Sequence, residues 1–334
     1  MAPAGDRPGP VLLATRTPPP GVRYPYVLEV PEEPGAPRWL RPVRGLFGAL
    51  LGVVTFLVLT PLVIQLVLAL GWALSGQPGT FADYAAAGRA FETPIGMVAS
   101  HLGLATLLPL SMALVLVVHH VHPRWLHSVQ PGIRWRYGLG ALLIAFVVLN
   151  AVLFVTSAGW TWQLRPQQGF AWFLVAILVT SPLQAAAEEY FFRGYLLQAS
   201  QLVLRGPWLG VVVSALVFAL FHGTQNLPLF LDRFGFGLLA GVLVVRTGGL
   251  EAGIAAHIAN NISAFVWAGL TTTIAEVKDT QVIGWVEAGV DLLSFALFAG
   301  AALWLGRRMT LATTTGGLVD PQPAGRHSRF GPGR

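Results

Sequence analysis

Glu188 and Glu189, with Arg193 four residues after the second acid, place two carboxylates and a guanidinium in the otherwise apolar stretch from Gln184 to Gly194. An ionisable side chain at membrane depth costs at least about 2.5–3.5 kcal/mol, so such residues mark a cavity, a partner or a site. On a helix Glu189 and Arg193 are i and i+4 with the acid first, the better order for an ion pair. Glu188 is turned about 100° from Glu189 and shares its face with Gln184 and Phe192. The two acids should therefore differ, Glu189 being neutralised by Arg193 and Glu188 left free as a general base. Two further polar spots follow, Phe218 with His222 and His257 with Asn261, each pair again at i and i+4. A carboxylate, two imidazoles and an amide facing one cavity could activate water against a carbonyl, with the amide donating to the developing oxyanion. His222, His257 and Glu188 could equally form an open three-ligand zinc site with the other carboxylate as base. No HExxH sequence is present, and the spacing leaves both readings open.

The elements that must position these groups are membrane helices. Of the 334 residues 54% are hydrophobic and 11% charged, and apolar runs exceed 18 residues several times, which reads as an all-α, polytopic transmembrane bundle of about eight spans. The expected runs are Gly45 to Leu74, Ile95 to Val118, Tyr137 to Ala158, Gly169 to Leu204, Trp208 to His222, Phe234 to Val245, Leu250 to Thr273 and Val282 to Gly306. The fourth is too long for one straight crossing, and Pro182 is expected to kink or divide it. The sixth spans only if Leu227 to Leu231 contributes and Asp232 and Arg233 face protein or water. Residues 1–44 and 310–334, rich in Pro, Gly and Arg, read as disordered cytoplasmic tails flanking a membrane domain over 45–309, with a catalytic core at about 170–270. The GxxxG spacings at Gly48/Gly52, Gly237/Gly241 and Gly249/Gly253 read as close helix packing.

Eight spans with both ends cytoplasmic put all of the 21 Lys and Arg except Arg89, Arg165, Arg233 and Lys278 on the inner side, which supports that orientation. The net charge of +6 therefore reflects topology and anionic lipid, and no nucleic-acid partner is expected. With no cysteine, disulfides, thiolate metal sites and a cysteine nucleophile are excluded. His101 reads as a packed residue, and His119, His120 and His122 as part of a headgroup-facing loop. Counted from the helix ends, Glu188 lies about 25 Å deep, His222 about 21 Å and His257 only about 10 Å, a mismatch that tilt or a kink must absorb.

Glu188-Glu189-Tyr190-Phe191-Phe192-Arg193 fits EExxxR, Phe218 to His222 fits FxxxH and His257 to Asn261 fits HxxxN. In order and approximate spacing these resemble the CPBP family, the CAAX proteases and bacteriocin-processing enzymes also called Abi or Rce1-like intramembrane proteases, over about Phe170 to Leu270. The resemblance implies an eight-helix membrane fold and cleavage of a peptide bond in a membrane-embedded or membrane-associated substrate, prenylated in the eukaryotic branch. It implies that Glu188 activates water with His222, that His257 and Asn261 stabilise the oxyanion, and that Glu189, Arg193 and Phe218 support them. A zinc ion and a metal-independent glutamate mechanism have both been argued for the family. A bacterial plasma membrane is the expected location. A non-catalytic scaffold or bacteriocin-immunity protein of the same fold, and a proton-coupled transporter, are the rival readings.

Overall fold

In lipid a spanning backbone must pair its own polar groups, and long apolar runs meet that demand as helices. The computed structural model describes residues 15–32, 35–76, 78–156, 163–204 and 206–316, and its long elements are all helical. In chain order they are α1 (Leu40–Ser75), α2 (Phe81–Arg89), α3 (Pro94–Ala105), α4 (Leu107–Val117), α5 (Trp135–Thr156), α6 (Phe170–Glu189), a π-helical turn (Tyr190–Leu196), α7 (Leu197–Leu204), α8 (Pro207–Leu220), α9 (Leu227–Thr247), α10 (Glu251–Thr271), α11 (Ile274–Asp279) and α12 (Trp285–Arg308). Among the described residues, six helical stretches are long and apolar enough to cross a bilayer: α1, α3 with α4, α5, α6 through α7, α9 and α12. The protein is an integral, multi-pass membrane protein built as an all-α bundle. The expected count of eight resolves into these six, the 14-residue α8, and α10. At 21 residues α10 is long enough to span, but Glu251, His257, Asn260 and Asn261 dilute its hydropathy.

Several expectations change. Helix α6 runs through Pro182 without a break, and the irregular turn comes after it, at Tyr190–Leu196. A π turn inside an α-helix shifts the facing of every later side chain and recurs at functional sites. The doubtful sixth span is one continuous 21-residue helix, because Leu227–Leu231 does contribute and Arg233 Nη1 finds the Gln225 side-chain oxygen at 2.8 Å. The described part of the N-terminal segment is no free tail. Its Tyr24-Pro25-Tyr26 turn leads into Val27, Leu28 and Val30, all buried against the bundle. Gly21 N–H donates to Thr315 O and Thr315 N–H to Val22 O, both at 2.8 Å, so the two ends of the described chain pair with each other. Residues 1–14, 33–34 and 317–334 of the expected tails lie outside the described residues. The loop after α4 also turns inward: Trp125, Leu126, Val129 and His119 are buried, and His119 Nε2 meets Tyr195 Oη at 3.2 Å. His101 is packed as expected, on Thr180 Oγ1 at 2.7 Å.

The glycine spacings serve packing within the chain. Helix α1 is exposed along most of its length and seats on the protein through Gly45, Gly48, Gly52, Thr60 and Leu68. A Cβ at Gly52 would lie 3.1 Å from the Phe191 ring and 3.0 Å from Leu114, so only glycine lets α1 lie this close to the π turn. Inside the bundle α10 packs against α5 and α6, presenting Ala252, Ala255, Ala256 and Ala259. Small side chains on that buried face allow backbones to approach and bring polar groups of α6 and α10 within bonding distance.

Candidate active site

Glu188 and Glu189 close the last regular turn of α6, just before the π turn. Glu189 is fully buried, and its Oε1 accepts from Arg193 Nη1 and from His257 Nδ1, both at 2.9 Å. The i,i+4 pair expected from the sequence is therefore present, with α10 joined to it. Arg193, also fully buried, lies among three aromatic rings, with its guanidinium carbon 4.1 Å from the Phe218 centroid, 5.3 Å from Phe236 and 6.0 Å from Phe192. A cation over ring faces gains about 2 kcal/mol when desolvated, which helps offset the burial of a guanidinium whose Nε and Nη2 find no hydrogen-bond partner among the described residues.

Glu188 points away from this ion pair, as its helix position requires. Gln184 Nε2 donates to Glu188 Oε1 at 2.7 Å, and the Gln184 side-chain oxygen accepts from Asn261 Nδ2 at 2.8 Å. One amide thus fixes both Glu188 and Asn261, reaching from α6 to α10. The other carboxylate oxygen of Glu188, Oε2, stands 3.6 Å from His257 Nε2. Since His257 Nδ1 faces an acceptor-only carboxylate, that nitrogen carries a proton and Nε2 is the ring atom turned toward Glu188. Glu189 holds the imidazole in one tautomer and one orientation.

His222 occupies a different position from the one expected. It follows the last turn of the short α8 and is exposed; its Nδ1 contacts Phe218 O at 2.8 Å, and it makes no hydrogen bond to Glu188 or His257 among the described residues. It reaches the others through Phe218, whose ring centroid is 4.6 Å from that of His222 and 6.0 Å from that of His257. The set His222, His257 and Glu188 is consequently not gathered as zinc ligands. Among the described residues no group of three His, Asp or Glu side chains is placed to hold a metal ion, and His222 sits across the Phe218 ring from His257.

Three residues of this arrangement were not among the site residues expected from the sequence. Phe236 of α9 lies 5.2 Å from the His257 ring and forms a second wall of the Arg193 cage. Gly253 faces the free oxygen of Glu189, Oε2, which lies 2.9 Å from where a Cβ would stand. Glu251 pairs with Arg134 in a bidentate contact of 2.6 and 2.9 Å at the first turn of α10. That pair explains the depth mismatch. Leu250 is buried, its N–H donates to His127 O at 3.0 Å, and a Cβ on Gly194 would meet Leu250 Cδ1 at 3.4 Å. The start of α10 is therefore level with Gly194, ten residues or about 15 Å short of the end of α7, and the loop after α4 roofs it over.

Residues 170–263, which hold all of these motif positions, match the family model described as Rce1-like, type II CAAX prenyl endopeptidase. Over this core the chain is similar to that family. The resemblance read from EExxxR, FxxxH and HxxxN thus stands. Among curated proteins the chain is similar to the uncharacterized protein YyaK of Bacillus subtilis (strain 168), 26% identical over 193 residues, 52% of this chain and 64% of that protein. It is also similar to an uncharacterized 24.3 kDa protein of Escherichia coli, 25% identical over 158 residues, 43% of this chain and 71% of that protein. The chain thus spans just under two thirds of the length of the first of these relatives. No solved structure matches it.

Proposed function

We propose that the protein is an intramembrane endopeptidase that hydrolyses a peptide bond of a membrane-embedded or membrane-associated substrate by glutamate-activated water. The observation that carries this reading is the pairing of Glu188 Oε2 with His257 Nε2, 3.6 Å apart, while His257 Nδ1 is held on Glu189. Two acceptors at that separation suit the two protons of one water, leaving its lone pair free to attack a carbonyl carbon. Glu188 takes the proton as the C–O bond forms. The oxyanion is met by Asn261, whose Nδ2 spends one proton on Gln184 and keeps the other. Glu188 then returns its proton to the leaving nitrogen as the C–N bond breaks.

In this scheme His257 positions the water, the role that the family resemblance implied for His222, and the exposed His222 stands on the other side of the Phe218 ring. Glu189, Arg193, Phe218, Phe236 and Gln184 position the reacting groups. The scheme is written without a metal, because His222 stands across the Phe218 ring and completes no three-ligand set with Glu188 and His257 among the described residues. A bacterial plasma membrane with both termini cytoplasmic fits the arginine bias and the bacterial relatives.

The test uses the full chain in proteoliposomes with a panel of hydrophobic peptides in water enriched in oxygen-18, read by mass spectrometry. Expected are cleavage products carrying one solvent oxygen in the new carboxylate, formed unchanged in the presence of a zinc chelator. Loss of activity in chelator, restored by zinc, would overturn the metal-free scheme. Uptake driven by a pH gradient without any peptide product would favour the transporter.

A further inference from the structure

We infer that a cavity at the start of α1, remote from the candidate active site, binds the headgroup of an aminophospholipid. The cavity holds about 890 Å³ and lies between the N-terminal segment, the first turn of α1 and the last turn of α7, lined by Tyr26, Glu29, Arg38, Arg41, Gln201 and Leu202 among others. That volume falls in the range of small-molecule sites, about 300–1,000 Å³.

Its charged groups divide into those already used and those left over. Glu32, also in the wall, is taken by Arg16 at 2.8 Å and Arg44 at 2.9 Å. Gln201 is taken by Gly206 N–H and Pro207 O. The side chains of Arg38, Arg41 and Glu29 make no ion pair or hydrogen bond among the described residues. Glu29 is half-buried, and burial pushes its pKa up while Arg41 pulls it down. Two guanidinium groups and one carboxylate match a phosphodiester joined to a primary ammonium: the arginines take the phosphate oxygens, and Glu29 accepts from the amine.

The surroundings indicate a lipid as the source of that headgroup. Trp39, Val43, Leu46 and Phe47 continue from Arg38 and Arg41 along α1 and are exposed, as are Val203 and Leu204 at the end of α7. Helix α1 crosses with 11% of its most apolar window buried, so this apolar surface faces acyl chains. A phosphate seated at the arginines would have its tails already against it, and arginines at the polar end of a spanning helix are placed at headgroup level.

The experiment titrates phosphatidylethanolamine, phosphatidylglycerol and phosphatidylcholine into the detergent-solubilised full chain and counts retained lipid by native mass spectrometry, with free phosphoethanolamine as the tail-less control. Expected is retention of phosphatidylethanolamine over phosphatidylcholine by about tenfold, lost in Arg38→Gln/Arg41→Gln, with Glu29→Gln equalising ethanolamine and glycerol headgroups. Free phosphoethanolamine should compete only weakly. All three side chains lie outside the bundle core, and an unchanged melting temperature in lipid-free detergent confirms that the variants fold. Equal retention of the three lipids, a glycerol preference in the wild type, full competition by the tail-less headgroup, or retention that survives the double substitution would each overturn the assignment.

Discussion

Replacing Glu189 by glutamine is expected to cost stability, and the structure sets the size of the loss. Glu189 Oε1 accepts from both Arg193 and His257 at 2.9 Å, and both members of the ion pair are fully buried. Removing one partner of a buried pair costs about 3–5 kcal/mol, because the remaining charge is uncompensated. Two features lower that figure here. The amide oxygen of glutamine still accepts one hydrogen bond, and the Arg193 guanidinium keeps its place 4.1 Å from the Phe218 ring, a contact worth about 2 kcal/mol when desolvated. Glu189→Gln should therefore lose about 2–3 kcal/mol, and Glu189→Ala, with no acceptor left, the full ~3–5 kcal/mol. Glu188 offers the control. Its contacts are with Gln184 and His257, and it makes no ion pair with an arginine among the described residues, so Glu188→Gln should cost under about 1 kcal/mol. Denaturant titration in mixed micelles, followed by tryptophan fluorescence, measures all three. Equal losses for Glu188→Gln and Glu189→Gln would refute the division of the two acids into a chemical and a positioning group.

Three other outcomes are expected. In Gly253→Ala the new methyl lies 2.9 Å from Glu189 Oε2, so the carboxylate must rotate off Arg193 and His257; about 1–3 kcal/mol of overpacking and a larger fall in turnover should appear together in unfolding and activity assays. Phe218→Leu removes the ring that contacts Arg193, His222 and His257, and should destabilise by about 1–2 kcal/mol, while Phe218→Tyr should retain most of the stability. His119, in the loop after α4, has its pKa lowered to about 3 by burial and by the nearby Arg44 and Arg16. A depressed histidine stabilises the fold only while neutral: its contribution is complete above the unfolded pKa near 6.5 and is lost as pH falls from there toward 3. Unfolding free energies measured at pH 7.5, 6 and 5 should fall as pH drops below that point, approaching about 1.4 kcal/mol per pH unit, with a shallower fall in His119→Gln.

The parts of this arrangement that depend on local spacing were legible in the sequence. Glu189 with Arg193, Glu188 with Gln184 and Phe218 with His222 are i,i+4 neighbours on continuous helices, and helix periodicity alone places them together. What crosses between helices was not. The contact of His257 with Glu189 depends on how deep α10 starts, which the buried Arg134–Glu251 pair and the roofing loop decide. Phe236 looked like any other apolar residue of its span, and Gly253 like one more packing glycine. The π turn carries no sequence mark comparable to Pro182, at which α6 continues undivided. The N-terminal segment misled through its prolines, although Tyr24 to Val30 carries enough apolar surface to bury.

Peptide cleavage by wild type and by Glu188→Gln, compared at equal folded protein in proteoliposomes, tests the central claim most directly. A positioned general base contributes about 10²–10⁴-fold, so the variant should keep wild-type stability and lose at least about a hundredfold in rate. A Glu188→Gln protein that cleaves as fast as wild type would contradict the account.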